Sequence, residues 1–471
     1  MRRTKIVCTI GPACSSEECL KDLIRAGMNV ARLNFSHGTH EEHAQTIEAI
    51  RKLSAKLGQP IGILQDLSGP KIRIGQIAAG RVTLTPGRTF VFTTRLVAGD
   101  EHEVTLPYPE VVEQAKRGKT IFVDDAKLQF RVLAKTGTDV LTKVVVGGEL
   151  GSHKGASLPG AKITAPSATE KDLADLELGL RQGVDWVAAS FIRSPDDRKP
   201  FDSVMDRVGI HRPIIAKIER PEAVARIDAI IAAFDGVMVA RGDLGIELPI
   251  YDVPMTQKMI IRKCNAAGKP VITATQMLDS MMGNPRPTRA EATDVANAIL
   301  DGTDATMLSG ETAAGSYPVE SVKMMARIAA RTERSIRYAD YLKERTRQAA
   351  GSVTEAIGQA TAELAADLKV AAVITCTATG TTARLVSKYR PPAPIVAAAS
   401  RPETVGMLTL LWGVLPVLSP ETRSTDKMID AAVESAKGTG LVKPGDTVVV
   451  TAGVPVGVPG NTSLIRVLRA E

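Results

Sequence analysis

The chain has 471 residues, which is too long for one compact domain and predicts two to four domains. Apolar residues make up 44% and charged residues 24%, proportions that exclude a disordered or fibrous protein. The formal charge of +7 comes from scattered Lys and Arg residues, with no basic run interleaved with aromatics. This distribution argues against nucleic-acid binding and allows small anionic ligands.

From residue 4 onwards, short runs of β-branched residues alternate with longer helical patterns, which predicts βα units and a parallel sheet. The strand candidates, in chain order, are KIVCTI, NVARLNF, IGILQDL, WVAASFI, IIAKIE, GVMVARGD, PVITATQ and ATMLSGE. Eight such units predict a closed (β/α)8 barrel, assigned to residues 1–70 and 165–340. An open doubly wound sheet is the competing fold. However, the turn after the first strand reads GPAC and lacks the G-x-G-x-x-G pattern.

Two further domains are predicted where this alternation changes. Residues 71–164 are rich in Val, Thr and Gly and contain strand signals such as RVTLTP, TFVFTT and TIFVDD. We interpret them as an inserted small β-barrel domain that lies on the barrel rim as a lid. At residues 341–471 a new α/β pattern begins, in which VAAVITC, PIVAAA, VLPVL and DTVVVTAG predict the buried strands of an open sheet.

Polar residues at the C-terminal ends of barrel strands usually carry chemistry, because that rim holds the active site. A single such residue is more often a solvated side chain, but here polar residues come from six different strands. They are Arg32, Asn34, Ser36, Asp66, Lys217, Glu219, Arg241, Asp243, Thr275, Gln276, Ser309 and Glu311. We therefore expect one shared site at this end of the barrel.

Within this set, Glu219 and Asp243 supply two carboxylates from adjacent predicted strands. Hard oxygen ligands of this kind suit Mg²⁺, which keeps other positions open for substrate. The alternative is that they form ion pairs with Lys217 and Arg241. Lys217 lies two residues before Glu219 on the same strand face, where an ammonium can neutralise charge on a phosphoryl group or an enolate.

Several motifs closely resemble those of pyruvate kinases and run in that family's order over almost the whole chain. They are TKIVCTIGPA, RLNFSHG, SGPKIR, HKGASLPG, ASFIR, IIAKIE, DGVMVARGDLG, KPVITATQML, NPRPTRAE and LSGETAAGSYP. The resemblance implies phosphoryl transfer from phosphoenolpyruvate to ADP, giving pyruvate and ATP, as the last step of glycolysis. It also implies a requirement for Mg²⁺ or Mn²⁺ and a homotetramer.

The resemblance further implies roles for individual residues. Lys217 resembles the catalytic lysine, Glu219 and Asp243 resemble the metal ligands, and Arg32 resembles the arginine that binds the transferring phosphate. Thr275 resembles the threonine associated with proton delivery to the enolate carbon.

The implied cradle for the substrate carboxylate is the backbone of Ala240, Arg241 and Gly242. The implied nucleotide contacts are Asn34, Phe35, Ser36, His37, Arg73 and Lys154.

One departure from the family concerns a monovalent cation. Many pyruvate kinases hold K⁺ with groups that match Asn34, Ser36, Asp66 and Leu67 here. The family's run Asp-Thr-Lys-Gly-Pro-Glu, however, reads DLSGPK in this chain and places Lys71 where a glutamate is usual. Because like charges repel in a dry cleft, we expect the Lys71 ammonium to replace K⁺ and make the enzyme K⁺-independent. The alternative is that Lys71 points into solvent.

A hydroxyl-rich loop follows the first predicted strand of the C-terminal domain. Its candidate ligand-binding residues are Thr375, Thr377, Thr379, Gly380, Thr381 and Thr382. Such a strand-to-helix loop is a plausible phosphate nest, although an ordinary helix-capping loop is the simpler reading. In pyruvate kinases the corresponding loop often binds a sugar phosphate or nucleotide effector, which favours an allosteric site here.

Two other functions remain open at this point: a Mg²⁺-dependent pyruvate-enolate lyase or aldolase on the same barrel, and an inactive effector-binding homologue. The five cysteines form no CxxC pair, so reduced thiols are expected rather than zinc ligands or disulfides. No apolar window has the length of a membrane span or a signal peptide. We therefore expect a cytoplasmic enzyme.

Overall fold

A computed structural model of the protein describes residues 1–161, 166–346, 351–422, 424–455 and 460–471. The N-terminal segment contains the first strands and helices of a barrel. They are β1 (Lys5–Ile10), α1 (Glu17–Ala26), β2 (Val30–Asn34), α2 (His40–Leu57) and β3 (Gly62–Asp66).

Residues 71–161 form a separate β domain between the third and fourth barrel strands. Its elements are β4 (Arg81–Leu84), β5 (Thr89–Thr93), β6 (Glu103–Thr105), α3 (Pro109–Gln114), β7 (Thr120–Val123), β8 (Leu128–Lys135), β9 (Asp139–Val146), β10 (Gly148–Gly151) and β11 (Ala156–Ser157). The strands form a six-stranded sheet of order β11-β7-β8-β9-β5-β6 and a separate β10-β4 pair. The expected single closed ring is therefore divided in two, because the chain leaves the larger sheet at Gly147 and Gly148 to pair with β4.

The chain then completes the barrel. Its strands are β12 (Trp186–Ala189), β13 (Ile214–Ile218), β14 (Gly236–Ala240), β15 (Val271–Ala274) and β16 (Ala305–Leu308). The helices are α4 (Glu170–Arg181), α5 (Lys199–Val208), α6 (Pro221–Ala225), α7 (Ile227–Ala233), α8 (Arg241–Glu247), α9 (Val253–Ala267), α10 (Arg289–Leu300), α11 (Gly310–Ala313) and α12 (Pro318–Glu333). Parallel pairing in the order β1-β16-β15-β14-β13-β12-β3-β2 closes the predicted barrel.

The C-terminal part forms the predicted open sheet, of order β19-β18-β17-β20-β21. Its elements are α13 (Tyr338–Thr346), α14 (Val353–Asp367), β17 (Ala372–Thr377), α15 (Thr381–Lys388), β18 (Ile395–Ala399), α16 (Pro402–Leu408), β19 (Val414–Leu418), α17 (Thr425–Gly438), β20 (Thr447–Gly453) and β21 (Thr462–Arg469). No helix in the described ranges combines the length and the apolar character that crossing a bilayer requires.

Local side-chain chemistry explains where several barrel helices begin. The Ser16 hydroxyl accepts the N–H of Cys19 at the start of α1. Thr39 forms a reciprocal capping box with Glu42 at the start of α2. Such caps satisfy N–H groups that a helix cannot satisfy itself, and each contributes about 1 kcal/mol.

The C-terminal domain covers the base of the barrel, at the N-terminal ends of its strands. Leu410 is fully buried and packs in the same cluster as the interior barrel residues Val7 and Leu64. The indole N–H of Trp186 donates to the carbonyl of Met407 at 2.9 Å. The base is therefore sealed by protein, which leaves the opposite rim as the accessible end.

Candidate active site

The charged side chains at the rim continue the interior face of the barrel. Ile215 and Leu64 both pack in the interior cluster. Because strand side chains alternate between faces, Lys217 and Glu219 lie on the interior face above Ile215, and Asp66 lies above Leu64. The alternation of strand side chains thus brings these charges together at the rim.

A continuous chain of ion pairs links these residues. The Arg32 Nε lies 2.6 Å from Asp66 Oδ2, and the Lys217 ammonium lies 3.1 Å from Asp66 Oδ1. The same ammonium lies 3.0 Å from Glu219 Oε1 and donates to the Ser190 hydroxyl at 2.7 Å. Lys217 therefore sits between two carboxylates from neighbouring parts of the rim, with only 12% of its side chain exposed.

Electrostatics fix the protonation of this cluster. Burial opposes the charge of Lys217, but Asp66 and Glu219 outweigh it and raise the pKa of the ammonium. Burial also opposes ionisation of Asp66, whose pKa is nevertheless lowered by Arg32 and Lys217. For Glu219, burial and the negative charge of Asp243 prevail over Lys217 and raise the pKa. An additional cation near Glu219 and Asp243 would favour the ionised form of Glu219.

Glu219 and Asp243 line one cavity between the rim and the inserted domain. Lys71 lines it too, and its ammonium lies 3.7 Å from Asp243 Oδ1 and 3.7 Å from Asp125 Oδ1. In the described part of the chain, no group of three or more His, Cys, Asp or Glu side chains could hold a metal ion. Two carboxylates facing one cavity nevertheless fit Mg²⁺, which commonly takes one or two protein carboxylates and completes its shell with water and substrate oxygens.

The inserted domain contacts the rim at this cavity. The Ser157 hydroxyl donates to Glu247 Oε1 at 2.6 Å, and Arg220 Nη2 lies 3.6 Å from the same oxygen. Arg220 also donates to the carbonyl of Ala161 at 3.4 Å. The sequence did not single out Glu247 or Arg220, because each reads as an ordinary charged residue of a rim helix.

Thr275 and Gly242 meet on the other side of the rim. The N–H of Gly242 donates to the Thr275 hydroxyl oxygen at 2.7 Å, and the hydroxyl donates to the carbonyl of Ala274 at 2.7 Å. The guanidinium of Arg241 is bound by protein groups, including Asp294 at 2.7 Å. Of the ion pairs considered as the alternative to metal binding, Arg241 therefore pairs with Asp294 and not with Glu219 or Asp243, whereas Lys217 does pair with Glu219 at 3.0 Å.

The nucleotide candidates after β2 are only partly available. The Asn34 Oδ1 accepts the N–H of Ser36 at 3.2 Å, and His37 is exposed. Phe35 is 1% exposed, and its ring stacks on His43 with a centroid distance of 3.9 Å. Phe35 can therefore reach a ligand only through its backbone, and its role as a nucleotide contact stays a prediction.

The nucleotide candidates on the inserted domain lie side by side. The N–H of Ile74, next to Arg73, donates to the carbonyl of Lys154 at 2.9 Å. Arg73 itself donates to the carbonyl of His153 at 3.1 Å. The Lys154 ammonium lies 3.0 Å from Asp124, and both residues line a cavity within the insertion.

The groups matched to a K⁺ site are bound by other groups of the protein. Asp66 is held by Arg32 and Lys217. The carbonyl of Leu67 accepts the Ser190 hydroxyl at 2.6 Å, and the Ser68 hydroxyl donates to Ser36 at 2.7 Å. Lys71 does not point freely into solvent: its side chain is 34% exposed and pairs with carboxylates of the metal-side cavity.

Two further rim residues, in addition to Glu247 and Arg220, were missed from the sequence. Ser190 follows β12 directly, so the strand-end rule could have found it in WVAASF. Phe191 donates its N–H to Glu219 Oε2 at 2.7 Å from a left-handed backbone with φ of 55°. No pattern in the sequence predicts that a bulky residue adopts the left-handed conformation here.

At the last barrel strand, Glu311 has a structural role. Its carboxylate accepts the N–H groups of Leu278 at 3.0 Å and Ser309 at 2.7 Å, which ties neighbouring rim loops together. Burial raises the pKa of Glu311. Gln276 is exposed beside this loop.

The C-terminal loop lines a separate cavity. Among the predicted residues, Thr377, Thr379, Thr381 and Thr382 line this cavity, and α15 begins at Thr381 as expected. Thr375 lies within β17, fully buried, and is not a lining residue, so the structure corrects its assignment. Gly380 precedes α15 with φ of 86° and is not among the lining residues either.

Comparison with known proteins identifies relatives over the full chain. A family model described as the barrel domain of pyruvate kinase matches residues 1–322, and one described as its alpha/beta domain matches residues 355–468. The pyruvate kinase of Geobacillus stearothermophilus is 50% identical over 469 residues, which cover 99% of this chain and 80% of the relative. That of Sporosarcina psychrophila is 48% identical over 473 residues, covering 99% and 80%. That of Clostridium acetobutylicum is 47% identical over 473 residues, covering 100% of both chains.

Proposed function

The chain belongs to the pyruvate kinase family, and from that premise we propose that it transfers a phosphoryl group from phosphoenolpyruvate to ADP. The bond between phosphorus and the enol oxygen breaks, a bond to a terminal oxygen of ADP forms, and the enolate takes a proton to become pyruvate. The observation that carries the proposal is the Lys217 ammonium, held between Asp66 and Glu219 beside the cavity lined by Asp243.

Lys217 stabilises charge and does not exchange protons in this proposal. Its raised pKa keeps it an ammonium throughout the neutral range. A fixed cation at this point lowers the energy of negative charge on the transferring group and on the enolate. Arg32, anchored by Asp66 at 2.6 Å, is placed to bind the transferring phosphate.

Family membership implies a divalent cation, and Glu219 and Asp243 are the proposed ligands. When bound, Mg²⁺ would screen charge between phosphate oxygens that must approach each other. The protein's own contribution is to hold Glu219 in place through Lys217 and the N–H of Phe191. Burial and the negative charge of Asp243 raise the pKa of Glu219, and a cation bound beside both carboxylates would favour the ionised form of Glu219.

Thr275 is proposed to assist proton delivery to the enolate carbon through water. Its hydroxyl is fixed between the N–H of Gly242 and the carbonyl of Ala274. The backbone at Ala240, Arg241 and Gly242 forms the start of α8, where the N-terminal end of the helix favours an anion such as the substrate carboxylate, and the N–H of Gly242 is bound to the Thr275 hydroxyl.

The nucleotide is proposed to bind between the end of β2 and the inserted domain. Asn34, Ser36 and the exposed His37 offer polar groups at the rim, and Phe35 offers only its backbone. Arg73 and Lys154 supply positive charge from the inserted domain, to which the phosphates of ADP are attracted. Closure of this domain over the nucleotide would exclude water from the reaction.

We further propose that the enzyme does not need K⁺. Asp66 already pairs with two protein cations, and Lys71 adds a third positive charge on the metal side. An assay with Mg²⁺ and tetramethylammonium as the sole monovalent cation should give full activity. Lys71→Glu should create a K⁺ requirement, whereas Lys71→Gln should not. Many-fold activation of the unaltered enzyme by K⁺ would overturn this proposal.

The cavity at the loop before α15 is proposed to bind a phosphorylated effector. Hydroxyls of Thr377, Thr379 and Thr381 and the N-terminal N–H groups of α15 support this assignment. The described lining residues include Glu421 but no Lys or Arg, so hydroxyls and backbone would carry the binding. If sugar phosphates and AMP leave the substrate saturation curve unchanged, the regulatory role fails.

Domain boundaries, assembly and location complete the proposal. We assign residues 1–70 and 165–340 to the catalytic barrel, 71–164 to the lid and 341–471 to the regulatory domain. The homotetramer is supported by the apolar residues Ile250, Tyr251 and Met255, which are 75%, 78% and 67% exposed around the start of α9. The final step of glycolysis in the cytoplasm is the proposed setting.

The two alternatives are not favoured. Relatives at 47–50% identity over the whole chain are named pyruvate kinases, and none of those described is a lyase. An inactive homologue would have no reason to retain the Lys217 and Glu219 cluster. Formation of pyruvate that requires ADP, followed by coupling to NADH oxidation, tests the proposed reaction. Absence of ADP-dependent pyruvate formation would overturn it.

The metal assignment has its own test, which does not depend on turnover. Binding of Mn²⁺, followed by electron paramagnetic resonance, should weaken at least about tenfold in Glu219→Gln. Glu177→Gln is the matched control, because Glu177 lies on α4 and pairs with Arg181 at 2.8 Å outside the site. Equal Mn²⁺ affinity in both variants would reject Glu219 as a ligand.

A further inference from the structure

The guanidinium of Arg241 is directed at the turn that follows β15. Its Nε donates to the carbonyl of Ala274 at 3.2 Å, and its Nη2 donates to the carbonyls of Thr275 at 2.7 Å and Gln276 at 3.5 Å. One side chain thus binds three successive carbonyls of a single turn. Only 12% of this side chain is exposed.

The turn that it binds is strained. Thr275 and Gln276 have φ of 69° and 53°, so two consecutive residues with side chains occupy the left-handed region. Each such residue costs about 1 kcal/mol or more, and it persists only where its surroundings hold it. A β-branched residue such as Thr275 is especially disfavoured there.

Side chains of two helices hold the Arg241 guanidinium on the side away from the turn. Its Nη1 donates to Asp294 of α10 at 2.7 Å and to Gln257 of α9 at 3.3 Å. Gln257 is in turn bound to Asp301 at 3.2 Å. The planar guanidinium is therefore fixed on one edge by two helices and offers its other N–H groups to the turn.

The turn at Thr275 also fixes the groups that face the proposed substrate. The Thr275 hydroxyl accepts the N–H of Gly242, the residue next to Arg241, at 2.7 Å. A relaxed turn would move this hydroxyl and release that N–H. Arg241 thus controls the geometry of Thr275 and Gly242 from outside the cavity that Glu219 and Asp243 line.

We propose that Arg241 is a positioning residue, which holds the turn at Thr275 in its left-handed conformation and so orients the Thr275 hydroxyl and the Gly242 N–H. The inference rests on the proposed function and deepens it. It leaves the backbone of Arg241 for the substrate, as the family resemblance implies, because the guanidinium binds the turn. Lysine cannot replace it, since an ammonium cannot bind several carbonyls in one plane while also binding Asp294.

The principal test is Arg241→Lys in two backgrounds. In the unaltered enzyme, this change should lower kcat about 100-fold and leave KM for phosphoenolpyruvate within about threefold. Exchange of pyruvate methyl protons in D₂O should fall in parallel. In a Thr275→Ala background, the same change should lower kcat by less than about threefold, because both residues act on one step.

Arg198→Lys is the matched control. Arg198 also binds several groups at once, Asp202 at 3.1 Å and Asp235 at 2.9 Å among them, but it lies away from the rim. This variant should retain kcat within about twofold. If Arg241→Lys does not fold, Asp294→Asn weakens the anchor alone and should lower kcat about tenfold with KM unchanged.

Three outcomes would overturn the inference. The Arg241→Lys variant could keep the kcat of the unaltered enzyme, or it could lower kcat by the same factor in both backgrounds. It could also raise KM for phosphoenolpyruvate while kcat stays unchanged. The last would assign Arg241 to substrate binding. Failure of the unaltered enzyme to transfer phosphate to ADP is a separate result, which would reject the proposed function itself.

Discussion

The rim and the base of the barrel each hold a largely buried lysine, and the two behave in opposite ways. At the rim, the carboxylates of Asp66 and Glu219 raise the pKa of Lys217. At the base, burial lowers the pKa of Lys5 to about 7, because Arg2 adds repulsion and Glu333 only partly offsets it. The Lys5 ammonium donates to the carbonyl of Val414, a neutral acceptor, at 2.5 Å.

The difference teaches that burial alone does not identify a functional charge. Lys217 lies among charges that face a cavity, where a ligand can use them. The charged groups at the base are enclosed between the barrel and the C-terminal domain, as with Arg390 and Asp304, which lie 2.8 Å apart and are 4% and 7% exposed. Changes at the rim should therefore alter catalysis, and changes at the base should alter stability.

The largest expected effect tests the rim. Lys217→Met should lower kcat at least about 1,000-fold, because no other cation can take its place between Asp66 and Glu219. The measurement is ADP-dependent pyruvate formation, with circular dichroism to confirm folding. Lys5→Met makes the same chemical change at the base and should keep kcat within about twofold. Comparable losses in the two variants would contradict the division between rim and base.

The next effect tests the base. Asp304→Asn should lower the free energy of unfolding by about 3 kcal/mol, because it leaves the buried Arg390 guanidinium without its counter-ion. Urea unfolding measures the loss, and kcat should stay near that of the unaltered enzyme. The double variant Asp304→Leu with Arg390→Met should recover most of the stability, since no lone charge remains. A double variant as unstable as Asp304→Asn would be inconsistent with this account.

A steric test of the same interface should have a smaller effect. A Cβ at Gly406 of α16 would lie 2.0 Å from the Asp185 carboxylate at the barrel base. Gly406→Ala should therefore destabilise the protein by about 2 kcal/mol through overpacking. Gly438→Ala on α17 is the control, because nothing lies within 4 Å of its Cβ position. Equal unfolding midpoints in the two variants would show that the interface accommodates the added methyl group without a loss of stability.

The effect that is smallest over a single pH unit is the pH dependence of stability. Between the folded pKa of Lys5, about 7, and its unfolded value of 10.5, the unfolded chain binds the extra proton. Lys5 therefore makes stability rise with pH across this window, by at most about 1.4 kcal/mol per pH unit. Lys5→Met should remove this slope and be more stable than the unaltered protein at pH 6. Parallel Tm-against-pH curves for the two proteins would rule out the lowered pKa.

The barrel, the insertion and the C-terminal sheet could be predicted because hydrophobic periodicity is local. Each βα unit is visible as a β-branched run followed by a helical pattern, and its strand end marks the rim. That rule placed Lys217, Glu219 and Asp66 at one end before any contact was known. Two candidates that did not come from that rule depended on tertiary packing: the ring of Phe35, implied by the family resemblance, is buried against His43, and Thr375, chosen from the C-terminal loop, lies inside β17.

By itself, the sequence determined the order of the elements, the end of the barrel that holds the charges and the family to which the chain belongs. Only the tertiary structure decided which charge meets which: Lys71 with Asp243 and Asp125, Arg241 with the Thr275 turn, and Glu219 with the N–H of Phe191. The reason is physical. Periodicity depends on neighbours along the chain, whereas ion pairs and strained turns depend on groups that folding brings together from distant strands.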